Sequence, residues 1–173
     1  MALRCFSTPR WLPRAVKPLP LLIGLGLGIG TAAGADGVNT GYFGNVAIKG
    51  YDPVAYFTEG RPTKGAPEFS YDWLGATWQF SNAGNRDAFA AEPIRYAPQY
   101  GGFCALGTAN EEASANIDPE AWRIVGGKLY LFGGREGLEE DFDARVGDVV
   151  AKADVNWPDI RQKEFQARQG SGN

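Results

Sequence analysis

Cys104 is the residue with the clearest capacity for chemistry, because a thiol is both a soft nucleophile and a soft metal ligand. The chain has two cysteines and no histidine. The other cysteine, Cys5, lies in the N-terminal 35 residues, so Cys104 is alone in the remainder. Two readings of it stay open: a small buried hydrophobe, as free cysteines often are, or a thiol that binds or reacts, as an odd cysteine in an exported protein suggests. As a catalytic residue it would cycle through sulfenic acid or a mixed disulfide, with an external thiol partner to resolve it. As a metal ligand it suits copper, two thiolates from a homodimer being enough for Cu(I). Tight zinc in a monomer is not expected, since a tetrahedral site needs about four N or S ligands.

Three further residues join Cys104 as candidate ligand-binding positions. Asp52 stands before Pro53, where a carboxylate caps a helix or serves as a ligand or base. Tyr56 and Tyr100, together with Tyr51 and Tyr96, could line a pocket with Trp73 and Trp78, although aromatic residues alternating on hairpins more often build cores. Serine-histidine and cysteine-histidine mechanisms are excluded by the lack of imidazole. The acids from Glu139 to Asp143 lack the spacing of a calcium loop.

The elements that must position these residues follow from pattern. Residues 1–35 carry Arg4, Arg10, Arg14 and Lys17 and no acid, then an uncharged run closing on Ala33-Gly34-Ala35. That is the form of a secretory signal peptide, with cleavage expected before Asp36 and a periplasmic or secreted destination. Its loss leaves 138 residues, enough for one domain, with 13 basic against 20 acidic side chains and a net charge of −7. Such a balance argues against nucleic acid or an anionic membrane as partner, and no stable membrane insertion is expected after cleavage. Residues 36–45 read as a flexible lead-in, 46–160 as the domain and 161–173 as a polar tail.

Within the domain, Val46-Ala47-Ile48 reads as a short strand and Asp52-Pro53 as the start of a short helix ending by Gly60. Alternating aromatics from Phe69 to Phe80 predict a hairpin turning at Leu74-Gly75-Ala76. A short helix is expected over Asn85 to Ala91, and a further helical turn at Ile94 to Tyr96. The form of Gly101 to Leu106 is open between strand and helix. Asp118-Pro119 repeats the helix-start signal, and Gly126-Gly127 predicts a second hairpin running to Phe132. Leu138, Phe142, Val146, Val149, Val150 and Ala153 form one face of an amphipathic helix, which Trp157-Pro158 should stop. The two Asp-Pro pairs are too short to make an internal repeat. If Cys104 is a site residue, the Gly101-Gly102 pair should allow close approach to the 52–57 helix, with the thiol at the edge of an aromatic recess. The fold class is therefore α+β, a small single domain of two short β-hairpins, several short helices and a C-terminal amphipathic helix.

Several of these stretches together resemble the exported YHS-domain-containing proteins of bacteria. They are Gly50-Tyr51-Asp52-Pro53-Val54-Ala55-Tyr56-Phe57, Trp73-Leu74-Gly75-Ala76-Thr77-Trp78-Gln79-Phe80, Phe89 with Pro93 and Tyr96, and Tyr100-Gly101-Gly102-Phe103-Cys104-Ala105. The similarity runs from about Gly41 to Pro158. It implies a treble-clef-related, YHS-like module associated with metal handling, here without the full ligand set, since the Cys-x-x-Cys pairs are missing. The function expected is an exported binding module for a soft metal ion or small ligand through Cys104, or alternatively a thiol-dependent redox enzyme or accessory factor.

Overall fold

The structure is a computed structural model that describes residues 36–41, 44–136 and 138–170. The signal-peptide reading falls on residues 1–35 and lies outside these. The architecture is mixed α+β, and among the described residues the strands form two separate two-stranded antiparallel sheets. Strands β1 (Ala66–Trp73) and β2 (Ala76–Phe80) make the first hairpin, and β3 (Asp118–Val125) and β4 (Lys128–Phe132) the second. Around them lie α1 (Ala55–Thr58), α2 (Ala83–Ala91), α3 (Pro93–Tyr96), α4 (Ala105–Ala109) and the long α5 (Val146–Gly170). No helix among the described residues is long and apolar enough to cross a membrane.

Both hairpins turn as their sequences require. Gly126 and Gly127 have φ of 58° and 75°, the left-handed pair of a two-residue turn that matches strand twist. The first hairpin makes the same turn with Leu74 at φ 49° and Gly75 at 70°. In β2 the period-two pattern sends Ala76, Trp78 and Phe80 inward. Strand β4 is buried on both faces: Leu129 and Leu131 pack with Trp78, Phe80, Phe89 and Tyr56, while Tyr130 and Phe132 pack with Tyr100, Phe142, Val149 and Ala153. It is the wall shared by two apolar clusters.

The chain repeats its own plan 52 residues on. The 3-10 turn at Ala47–Gly50 recurs at Gln99–Gly102, β1 at Asp118–Val125 and β2 at Lys128–Phe132. Even the irregularity recurs, with a register shift between Ala66 and Ser70 in β1 and between Asp118 and Trp122 in β3. Both 3-10 turns contain consecutive left-handed residues, Ile48 and Lys49 in one and Tyr100 and Gly101 in the other. Asp52 and Cys104 occupy equivalent places just before α1 and α4. An internal structural repeat is thus present, and the two Asp-Pro pairs do not mark it, since Asp52 is equivalent to Cys104 and Asp118 to Ala66.

Five local expectations are corrected. Val46 makes a single parallel bridge to Thr77 rather than starting a strand, because Ile48 and Lys49 turn left-handed immediately after it. Asp118-Pro119 opens a strand, not a helix. Asp118 Oδ1 does accept from the Glu120 N–H at 2.9 Å, but Pro is tolerated at a strand start and the bulge absorbs its missing donor. Residues 138–145 form one π turn and one 3-10 turn before α5 begins. Helix α5 then continues through Pro158 and beyond residue 161, held by Val149, Ala153 and Ile160 on its buried face. Residues 36–41, expected to be a flexible lead-in, are packed, with Val38, Asn39 and Thr40 buried. Asn39 stitches the repeats together: its N–H donates to Gly101 O, its carbonyl accepts from Ile48 N–H, and its side-chain amide donates to Gly102 O and Ala115 O.

Candidate functional site

The four residues singled out from sequence do not converge. Asp52 is 0% exposed and its two oxygens accept five hydrogen bonds. Oδ1 takes the Val54 and Ala55 N–H groups at 2.9 and 3.2 Å, which makes it the N-terminal cap of α1. Oδ2 takes the Ser81 N–H and hydroxyl at 2.9 and 2.8 Å and the Asn85 amide at 2.7 Å, tying α1 to the end of β2 and to α2. Every acceptor direction is used internally.

Tyr56 is buried in the cluster around Trp78, Phe80 and Leu129. Its hydroxyl donates to Pro119 O at 3.0 Å and its ring packs edge-on to Trp122 with centroids 5.3 Å apart. Burial pushes this phenol well above the ordinary range, and the neighbouring Tyr51 adds to the effect. It is a neutral fastener between the two repeats.

Cys104 belongs to the second cluster and is 9% exposed. Its N–H donates to Ser114 O, its carbonyl accepts from the Thr108 N–H and hydroxyl, and its backbone bridges to Leu131. The thiol therefore sits on a well-held backbone inside the apolar cluster rather than at the edge of an aromatic recess. Among the described residues no group of three or more His, Cys, Asp or Glu side chains converges as a metal set. The Gly101-Gly102 pair does permit close approach, but the neighbour is not the 52–57 segment. A Cβ on Gly101 would fall 1.7 Å from Gly37 O, and one on Gly102 would fall 2.5 Å from Ile48 Cγ2. Gly101 thus makes room for the packed N-terminal strap, residues 36–41, and Gly102 for the first 3-10 turn.

Tyr100 is the exception, for it lines an open recess of about 190 Å³ together with Trp73, Leu74, Trp78, Trp157 and Arg161. Trp73 and Trp78 come from the first hairpin, Tyr100 from the second 3-10 turn, and Trp157 and Arg161 from α5. The Tyr100 hydroxyl donates to Asp154 Oδ1 at 3.0 Å, which fixes its ring against α5. Burial, reinforced by that hydrogen bond, pushes its phenol well above the ordinary range. The Trp78 indole is fixed by donation to Trp73 O at 3.1 Å. Arg161 stands at the mouth, one N–H donating to Asp36 Oδ2 at 2.6 Å with both side chains nearly half exposed.

Two lining residues are held in a backbone conformation that L-residues avoid: Leu74 at φ 49° and Tyr100 at φ 53°. Tyr100 shares this with Ile48 through the duplication, but Leu74 stands where the second hairpin has Gly126. A glycine or asparagine would relax the turn, so the leucine side chain at the recess rim is kept at a conformational cost.

Trp157, Arg161 and Leu74 were missed because their partners come from remote segments. The signal available was weak: an indole and a guanidinium four residues apart share a helix face, and Trp157-Pro158 read more simply as a helix stop. Comparison with protein-family models, with curated proteins and with solved structures finds no match to this chain.

Proposed function

We propose that this chain is an exported small-ligand-binding module of the YHS-like type, and that its ligand seat is the Trp73–Trp78–Tyr100–Trp157 recess. The observation that carries the reading is the preformed aromatic lining, three indoles and a phenol around one concavity, with a strained leucine retained at its rim. Small-molecule sites are concave and mostly apolar, with few polar groups to orient the ligand. A volume of about 190 Å³ suits a one-ring ligand, since a cavity of ~150 Å³ accepts benzene.

Binding is favoured over catalysis by the chemistry at hand. The recess holds a phenol kept neutral by burial, an arginine, and no imidazole or carboxylate in its lining. A site built on Cys104, whether for copper or for thiol redox chemistry, draws less support, because the thiol is enclosed by the cluster around Tyr130 and Phe132. Shared metal ligation by two copies needs that thiol at a surface.

Calorimetric titration with indole as probe tests the proposal. Binding should survive Cys104→Ala and be lost in Ala97→Phe, which fills the recess from its wall. Binding that survives Ala97→Phe but disappears with Cys104→Ala would transfer the site to the thiol.

A further inference from the structure

The polar character of the recess says what kind of one-ring ligand it takes. Its lining contains one charged side chain, Arg161, and no Asp or Glu. The indole N–H groups of Trp73 and Trp157 have no acceptor among the described residues, and Arg161 donates one hydrogen bond there, to Asp36. The Trp78 N–H and the Tyr100 hydroxyl are already committed to Trp73 O and Asp154. The lining therefore carries one positive side chain and no negative one. An indole cage alone would favour a cation through its ring faces, but a guanidinium at the mouth repels one and matches a planar carboxylate.

Arg161 is also placed to exchange partners. Its stem packs on Gly37, where an added Cβ would come within 2.6 Å of Cγ, so the strap holds the head group at the recess mouth. Its present partner, Asp36, is itself a carboxylate and about 42% exposed. An exposed ion pair is worth little in water, so an incoming carboxylate can replace Asp36 or share the fork with it.

We infer that the recess takes a single-ring aromatic carboxylate, its ring against Trp73, Tyr100 and Trp157 and its carboxylate on Arg161. The inference rests on the reading of the recess as the ligand seat. It adds the charge of the ligand and the residue that reads it.

Isothermal titration of the purified protein with phenylacetate, phenylacetamide and benzylamine, which share one ring and differ in charge, tests it. Phenylacetate should bind about tenfold tighter than the amide, the scale of one charge-assisted hydrogen bond, and benzylamine weakest. Arg161→Gln should weaken phenylacetate more than the amide and bring the two to one level, and Arg161→Lys should restore part of the difference. Should the Gln variant be unstable, the charge series on the unaltered protein decides alone. Equal binding of all three, or tightest binding of benzylamine, would overturn the carboxylate inference and leave the seat standing. Failure of all three together with indole would remove the seat itself.

Discussion

Asp52→Asn should destabilise the protein by about 2 kcal/mol, although asparagine is ordinarily as good a helix cap as aspartate. The reason is that both carboxylate oxygens are acceptors in the native state, Oδ1 for two backbone N–H groups of α1 and Oδ2 for Ser81 and Asn85. An amide supplies one oxygen and one NH₂. If the oxygen faces α1, the NH₂ can donate to the Ser81 hydroxyl and the Asn85 amide can turn over, yet the Ser81 N–H keeps no acceptor. If it faces Ser81, the Val54 and Ala55 N–H groups lose theirs. One orphaned donor in a buried setting costs about 1–3 kcal/mol, and the second arrangement adds a lost cap of about 1 kcal/mol. The assay is urea unfolding followed by tryptophan fluorescence. With a slope of about 1–3 kcal/mol per molar, the midpoint should fall by roughly 1 M with the slope unchanged. A midpoint within error of wild type would refute the reasoning. Lost indole binding at unchanged stability would show Asp52 to be a ligand group instead.

Cys104→Ala should cost about 1–2 kcal/mol through the void it leaves in the second cluster, and iodoacetamide should label Cys104 slowly in the native protein and quickly in urea; rapid native labelling at unchanged stability would contradict the enclosed placement. Tyr100 has a raised phenol pKa in the folded state, so its neutral form contributes stability that is fully present below the unfolded value of about 10 and is lost as pH rises above it, since the unfolded chain then ionises first. Melting temperature measured from pH 8 to 12 should therefore fall less steeply in Tyr100→Phe than in wild type, and equal slopes would argue against it. Signal-peptide cleavage should leave Asp36 as the first residue, and its N–H, which donates to Leu74 O at 2.8 Å, can keep that bond as an α-ammonium; N-terminal sequencing that returns Met1 contradicts this.

The hairpins were legible because their cues are local. Alternating aromatics from Phe69 to Phe80 and the Gly126-Gly127 pair specify strand and turn within a few residues. Asp52-Pro53 was legible for the same reason, since a cap is satisfied by the two N–H groups that follow it. What escaped were features made by remote contacts. Asp118-Pro119 carries the same local signal as Asp52-Pro53, but pairing with Phe132 overrides it. Pro158 should break a helix, yet the burial of Ile160 beyond it rewards continuation. Residues 36–41 are small and polar, and only Asn39's bonds to both repeats reveal them as structural.

The duplication was hidden because it is kept in backbone geometry more than in side chains. Gly50 and Gly102, Pro67 and Pro119, Gly75 and Gly127, and Phe80 and Phe132 are identical across the 52-residue offset. Asp52 against Cys104 and Tyr56 against Thr108 are not. The recess was hidden for a related reason: its lining comes from the strap, the first hairpin, the second 3-10 turn and α5. Of the aromatic residues weighed from sequence, Trp73, Trp78 and Tyr100 do line it, whereas Tyr56 does not.

The ligand seat proposed above is the Trp73–Tyr100–Trp157 recess. Its most direct test is the two-dimensional ¹⁵N–¹H spectrum of the indole N–H groups during titration with phenylacetate. Trp73 and Trp157 line the recess, whereas Trp122 borders a separate surface groove with Arg123 and Arg135 and serves as an internal reference. The Trp73 and Trp157 resonances should shift together and saturate while that of Trp122 stays in place. Saturable movement of Trp122 with Trp73 and Trp157 unmoved would contradict it.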